Sequence, residues 1–298
     1  MKISIIGPGS IGLLLYSRIK ISGEDVEIVD YKRERVDFLK RKKINFISND
    51  GKRHRIECDI KLYPSQDSSL FINCVKAYSV KDSLKRIKKF LKGKIIIALH
   101  NGIGWERDYL YYLKKGEFLR GIILRGSTKL SENSVKEVGK GGVIVEKKSV
   151  KNLIELKRVF ERAGISFILK KDIEKDIYKK FLINSCLNPV AAVSGLPNGK
   201  VYEDGLFREI MFRIGKEIME IFKKKKIDLR TKYKKEIEKV CMLTYRNINS
   251  MLQDIRRGKR TEIDYLNGYI LKEAEKLKIL LPYNNLIYRV IKFLEKII

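Results

Sequence analysis

Lys2-Ile-Ser-Ile-Ile6, the segment Gly7-Pro8-Gly9-Ser10-Ile11-Gly12 behind it, and Val26-Glu-Ile-Val29 decide how this chain begins. The first run is short and rich in isoleucine, as a buried strand is. Past the glycines, Ile11, Leu14, Leu15 and Ile19 recur at helical spacing, and the run at Val26 reads as a second strand. Strand, GxGxxG, helix and strand in about thirty residues is the context in which this motif binds a dinucleotide. Gly7 permits the tight turn, Gly9 lets a pyrophosphate approach the backbone, and Gly12 allows helix and strand to pack closely. The helix N-terminus then offers unpaired N–H groups to the phosphates. A mere tight turn is the competing reading, and the flanking strands and helix weigh against it.

The end of the second strand is where the adenosine ribose is read, and here it carries Asp30-Tyr31-Lys32-Arg33. An acidic residue there favours the free 2′-hydroxyl of NAD, whereas Lys32 and Arg33 suit the 2′-phosphate of NADP. The two signals conflict. Further strands are expected at residues 44–47, 70–75 and 94–99, with helical patterns near 79–91 and 104–113. This alternation predicts an α/β Rossmann-type, doubly wound parallel sheet. Ligands bind at the carboxyl ends of strands in such sheets. Lys76, in Val75-Lys76-Ala77, and Asn101, in Leu99-His100-Asn101-Gly102, are therefore candidate cofactor or substrate contacts. A surface lysine and an Asn-Gly turn are the plain alternatives. Residues 120–147 hold short β-like runs with glycines and read as an antiparallel extension of the sheet. A helix at 152–163 and a closing strand at 166–169 follow.

From about Lys171 onward strand signals vanish and helical periodicity dominates. The expected division is a dinucleotide-binding domain over 1–170 and an all-helical substrate and dimerisation domain over 171–298, with no linker and the active site between them. The helical part opens with Lys180-Phe-Leu-Ile-Asn184-Ser-Cys-Leu-Asn188-Pro189. Spacing by four puts Lys180, Asn184 and Asn188 on one stripe of an otherwise apolar helix. A cation and two amides in that setting are costly unless something hydrogen-bonds to them. An oxygen-rich substrate would supply the partners, and so would a buried network to another helix. Leu196-Pro197-Asn198-Gly199 is a turn that would carry Asn198 back towards this helix. Ile263, Leu266, Ile270 and Leu277 then make an apolar stripe for a long helix, with Glu262 near its positive end. A capping carboxylate is the competing reading of Glu262.

Composition narrows the class. At 298 residues with 5 prolines, no Ser/Gly-rich tract and no apolar run near membrane length, the chain reads as a soluble globular protein. Without a signal-peptide pattern at its start, it is expected in the cytoplasm. Cys58, Cys74, Cys186 and Cys241 form no CxxC pair, and His54 and His100 sit in no metal-ligand spacing, so no metal site is expected. The net charge of +29 admits a nucleic-acid partner. However, the lysines are spread along the whole chain and alternate with apolar positions, as solvated helix faces do. Attraction of an anionic substrate or cofactor is the milder consequence.

Taken together and in this order, the glycine loop, Lys180-x-x-x-Asn184-x-x-x-Asn188-Pro189, Pro197-Asn198-Gly199, Ser250-Met-Leu-Gln-Asp254 and Thr261-Glu262-Ile-Asp264 resemble the ketopantoate reductase family (2-dehydropantoate 2-reductases). The likeness covers nearly the whole chain. It implies reduction of 2-dehydropantoate to (R)-pantoate with NADPH, a step towards pantothenate and coenzyme A. By resemblance Lys180 is the proton donor to the ketone, and Asn184, Asn188, Asn198, Asn247 and Ser250 hold the substrate. The loop Gly7-Pro8-Gly9-Ser10-Ile11-Gly12, Lys76, Asn101 and Ser127 are cofactor contacts, and Glu262 lies beside the nicotinamide ribose. Three stretches depart from the family pattern: residues 121–127, residues 137–141, and Asp30-Tyr31, where many NADPH-dependent members carry an arginine. They bear on cofactor preference, so NADH stays open beside NADPH. A reductase of another branched 2-keto acid is the second reading. A non-catalytic dinucleotide-binding regulatory or nucleic-acid-associated protein is the third. A homodimer through the helical domain is entertained as a guess.

Overall fold

The computed structural model describes residues 1–113, 118–148 and 153–297. The chain forms two compact units: Met1–His100 with Trp105–Ile173, and Asn101–Gly104 with Glu174–Ile298. The first unit opens with β1 (Ile3–Ile6), α1 (Ser10–Ile21), β2 (Val26–Val29) and α2 (Arg33–Arg41). Four short strands follow: β3 (Ile44–Ile47), β4 (Arg53–Ile56), β5 (Ile60–Lys61) and β6 (Leu70–Asn73). Next come α3 (Val80–Ile87), β7 (Ile95–Ala98), α4 (Glu106–Tyr112) and β8 (Phe118–Ile123). The unit closes with β9 (Gly126–Ser131), β10 (Ser134–Val138), β11 (Val143–Glu146), α5 (Leu153–Arg162) and β12 (Phe167–Lys170). Asn152, where the sequence reading starts the α5 helix, lies outside the described residues.

Eight strands make one sheet in the order β12-β11-β8-β7-β6-β1-β2-β5, parallel throughout except for the pair β8/β11. Every residue of β1, β2 and β6 is buried. Burial on both faces is why these strands are mostly apolar, each broken by one buried polar residue: Ser4, Glu27 and Asn73. The chain steps from β1 outward to β2 and returns to the other side of β1 for β6. The carboxyl ends of β1 and β6 therefore flank the point where strand order reverses, the ligand crevice of an open α/β sheet. Gly7 leaves one of these ends and Val75-Lys76 the other.

The expected antiparallel extension is correct for β8/β11 and wrong for what lies between them. β9 and β10 form a second, four-stranded sheet with β3 and β4, in the order β4-β3-β10-β9. In β3, Ile44 and Phe46 are buried while Asn45 is exposed. That alternation belongs to a sheet with one solvated face, so β3 leaves the main sheet.

The second unit consists of helices: α6 (Glu174–Ser194), α7 (Asn198–Glu203), α8 (Gly205–Lys224), α9 (Tyr233–Leu243), α10 (Ser250–Ile255), α11 (Asn267–Lys276) and α12 (Pro282–Ile297). α6 is central and packs against α7, α8, α9, α10 and α12. Phe181, Leu182, Cys186, Leu187 and Val190 feed its core, as expected of a helix apolar nearly all round. The single long helix expected from Glu262 onward is not formed. Ile263–Tyr265 is a 3-10 turn, and Leu266 breaks the path with φ −111° and ψ −104° before α11 starts at Asn267. The Tyr265 carbonyl turns out of the helical ladder and accepts from the Ile103 N–H at 2.9 Å. Among the described residues, no helix is long and apolar enough to cross a membrane.

Candidate active site

In the second unit the α6 stripe forms as its spacing requires. Lys180 and Asn184 are half-buried and Asn188 is 6% exposed. The Asn184 and Asn188 side-chain amides make no hydrogen bond among the described residues, so the buried-network alternative gains no support for them. Desolvation of the Lys180 ammonium is the larger influence on its titration and pulls the pKa from 10.5 down to about 8, against the opposing pull of the Glu262 carboxylate. Glu262 is 5% exposed and its Oε2 accepts from Asn101 Nδ2 at 3.0 Å. No cap bond links Glu262 to the turn that follows it, which leaves the capping reading without support. Asn101 is held by its neighbour. Gly102 has φ +75°, and a Cβ there would lie 2.2 Å from the Tyr265 carbonyl oxygen, so only glycine fits. Asn101, Lys180 and Glu262 thus meet at one place, although they lie far apart in sequence.

A second group gathers beside α10, which packs on α6. Asn198 N–H donates to the Asn247 carbonyl at 3.0 Å, and its Nδ2 donates to Thr244 Oγ1 at 2.9 Å. Asn198 Oδ1 accepts from Asn249 Nδ2 at 3.2 Å. Each end of the Asn198 amide keeps one further hydrogen-bonding position. Asn249 accepts from the Leu252 N–H at 3.1 Å and caps α10, so Ser250 becomes the first residue of that helix. The sequence reading named Asn247 and Ser250 but missed Asn249 and Thr244. An asparagine immediately before an apolar run was the available signal for the cap.

The first unit carries the dinucleotide features. Gly7 has φ +96°, and a Cβ on Gly12 would lie 2.0 Å from the Gly7 carbonyl oxygen. Beside Gly9 the space is open, with Cys74 O the nearest atom at 4.0 Å. No side chain caps the start of α1. Its uncapped first turn and the open face at Gly9 fit a pyrophosphate. Lys129 Nζ reaches Pro8 O at 3.4 Å from β9, and Ser127 lies on the same face of that strand. The Ser127 hydroxyl is buried and has no partner among the described residues, an orphaned polar atom of the kind a ligand satisfies. Ser10 and Ile11 open α1, and half-buried Lys76 precedes a 3-10 turn (Ala77–Ser79) past β6. Asp30 is 3% exposed and pairs with the Arg35 guanidinium, while Lys32 and Arg33 are exposed. Exposed Tyr31 lies between Lys32 Nζ, 5.9 Å from its ring centre, and the Arg86 guanidinium at 5.5 Å.

These two sets of residues have a counterpart among known proteins. The family model described as ketopantoate reductase PanE/ApbA matches residues 3–149, and that of its C-terminal part matches residues 172–295. The chain belongs to the ketopantoate reductase family. It is an oxidoreductase by that membership. The 2-dehydropantoate 2-reductase of Pyrococcus abyssi is 28% identical to this ketopantoate reductase family member, over 98% of this chain and 97% of the relative. A PanE/ApbA family ketopantoate reductase from Ralstonia eutropha has a similar solved structure, with TM-score 0.90, 21% identity and 99% of each chain covered. A D-mandelate dehydrogenase solved with NADH and anilino(oxo)acetate is equally similar in fold, at TM-score 0.90, 23% identity and 99% coverage of each chain.

Proposed function

We propose that this ketopantoate reductase family member reduces 2-dehydropantoate to (R)-pantoate, with Lys180 as the proton donor. One observation carries the proposal: a half-buried ammonium with its pKa drawn down to about 8 stands in line with two unpaired amides, in a chain of this family. The bound nicotinamide supplies the hydride. As negative charge develops on the keto oxygen, Lys180 Nζ stabilises it and donates a proton to it, then recovers that proton from solvent. Glu262 keeps the ammonium charged against its own desolvation and is held in turn by Asn101. Asn184 and Asn188 satisfy their free donors and acceptors on the substrate, while Asn198, Asn247 and Ser250 hold its carboxylate and hydroxyl. Gly7, Pro8, Gly9, Ser10, Ile11 and Gly12 cradle the pyrophosphate, with Lys76 and Ser127 as further contacts.

NADPH is the proposed reductant and NADH the alternative. Asp30 is buried and neutralised by Arg35, so it presents little free charge to a ribose, while Lys32 and Arg86 flank exposed Tyr31 with positive charge. The fold does not choose the substrate, since a D-mandelate dehydrogenase matches as well as a ketopantoate reductase. A reductase of another branched 2-keto acid is therefore the second reading. Steady-state oxidation of NADPH and NADH with 2-dehydropantoate, beside a panel of branched 2-keto acids, tests all of this. Preferred turnover of another keto acid would replace the substrate assignment, and a preference for NADH would replace the cofactor. Lys180→Ala should lower kcat by at least about a hundredfold, the scale of lost general-acid catalysis. A near-normal kcat would remove Lys180 from the mechanism.

A further inference from the structure

Pro189 sits inside α6, with the helix continuing to Ser194. Proline has no N–H, so the carbonyl four residues back, that of Ser185, loses its helical donor. A donor from elsewhere replaces it. Asn267 Nδ2 donates to the Ser185 carbonyl oxygen at 3.1 Å and to Asn284 Oδ1 at 2.9 Å. Both contacts are with acceptors, which fixes the orientation of the Asn267 amide. Behind it, Asn284 Nδ2 donates to Ile214 O at 3.2 Å and to Glu217 Oε2 at 2.8 Å. Glu217 also accepts the backbone N–H groups of Tyr283 and Asn284, each at 2.9 Å. Ser185, Asn267 and Asn284 are all 0% exposed.

This arrangement is costly as well as ordered. Asn267 Oδ1 and Ser185 Oγ are buried without partners among the described residues. A network with orphaned acceptors is a poor way to gain stability alone. Its position suggests another use. Asn267 is the first residue of α11, directly beyond the 3-10 turn that follows Glu262. Ser185 adjoins Asn184 on the helix that carries Lys180 and Asn188. One amide therefore joins the segment bearing the carboxylate to the helix bearing the ammonium, through a carbonyl that is available only because residue 189 is proline.

We propose that Asn267 is a positioning residue, whose amide takes the place of the N–H missing at Pro189 and so sets Glu262 against Lys180. The proposal rests on the reading of Lys180 as proton donor. Glu262 is a charged group that raises the Lys180 pKa. If Asn267 is lost, Glu262 drifts from Lys180 and the ammonium becomes easier to deprotonate. Asn267→Ala should then lower kcat at least about tenfold, leave KM for the keto acid within about twofold, and move the alkaline limb of the kcat–pH profile to lower pH. Pro189→Ala restores a helical donor to Ser185. That donor competes with Asn267 for the carbonyl and weakens the tether, so Pro189→Ala should itself lower kcat, and the further fold-loss caused by Asn267→Ala on that background should shrink.

The test is a cycle of wild type, Asn267→Ala, Pro189→Ala and the double variant, with kcat, KM and pH profiles for each and a melting curve to establish folding. Asn267→Ser, a shorter donor, replaces the alanine variant if that does not fold. A lowered melting temperature with kcat and the pH profile unmoved would make Asn267 purely structural and overturn the proposal. An equal fold-loss on both backgrounds would overturn the link to Pro189. Lys180→Ala, measured alongside, separates the two failures. Near-normal turnover there sinks the proton-donor reading itself, whereas a dead Lys180 variant beside an unchanged Asn267 variant sinks only this inference.

Discussion

Desolvation pulls Lys61 and Lys292 down, yet carboxylates at hydrogen-bonding distance together hold both above the ordinary lysine range, and exposed Lys200 is raised by Glu203. Lys180 moves the opposite way, because loss of water outweighs the pull of the Glu262 carboxylate. The balance gives Glu262 a definite sign. Its charge raises the Lys180 pKa, so Glu262→Gln should lower it, and the alkaline fall in kcat/KM, which reports the free enzyme and is expected near pH 8, should shift to lower pH. Only the protonated form donates, so activity at pH 8.5 should drop more than activity at pH 6.5. A pH profile of kcat/KM for the two proteins checks this, and coincident profiles would remove Glu262 from the electrostatics of Lys180. At this scale the sequence disclosed what lies within one helix. Lys180, Asn184 and Asn188 share a face by periodicity alone. The Asn101–Glu262 bond spans 161 residues and leaves no local trace. Asn267 was hidden for the same reason, since its partner is a backbone carbonyl that no side-chain pattern marks.

Elements that bury both faces announce themselves, and those that bury one are harder to place. β1, α1 and β2 follow from spacing because the strands are dominated by β-branched apolar residues and the helix has a plain helical period. β3 carries its own correction in the alternation of Ile44, Asn45 and Phe46, but which strand it pairs with is a non-local fact, and it pairs with β10 from residues 134–136. The glycine loop allows two outcomes to be separated. A methyl group at Gly12 would meet the Gly7 carbonyl 2.0 Å away, backbone that has little room to yield. Gly12→Ala should cost about 1–3 kcal/mol, the range for overpacking, and lower Tm by several degrees. At Gly9 the nearest atom is 4.0 Å away, so Gly9→Ala should leave Tm within about 2 °C. Its added methyl would stand where the pyrophosphate approaches, and the Kd for NADPH should rise at least about tenfold. Calorimetric titration and melting curves measure both quantities. Wild-type affinity in Gly9→Ala would refute the assignment of this loop to the phosphates.

For the whole molecule, 65 basic against 36 acidic side chains leave a net +29, so the folded state carries a standing self-repulsion. Each acidic group is correspondingly important, and several are buried in favourable settings. Glu27 lies at 0% exposure, desolvated by burial, yet Lys61 Nζ at 2.7 Å, Ser4 Oγ at 2.5 Å and the Ser65 N–H at 2.7 Å hold its pKa down at about 2, from an ordinary 4.5. Glu137, buried between Arg18 and Arg125, and Glu146, beside Arg120 and Lys148, are also held low. In the second unit the same is true of Asp264 and Glu273. A carboxylate with a depressed folded pKa stabilises the fold above its unfolded pKa, and that contribution disappears as pH falls through the folded value. For Glu27 the window runs from about pH 4.5 down to about 2 and is worth about 3 kcal/mol at neutral pH. Protonating these groups also raises the positive charge, so both effects act in one direction. Tm should be nearly flat from pH 8 to 5 and fall steeply below about pH 4.5. Added KCl should recover part of the loss at pH 3.5, because screening relieves repulsion among an excess of positive charge even larger than the +29 at pH 7 more than it weakens the buried pairs. Melting curves from pH 8 to 2.5 at 50 mM and 500 mM KCl, as chosen concentrations on either side of the roughly 10 Å Debye length at 0.1 M, decide it. A Tm at pH 3.5 that drops further with salt would mean that ion pairs, not net charge, govern the acid limit of this fold.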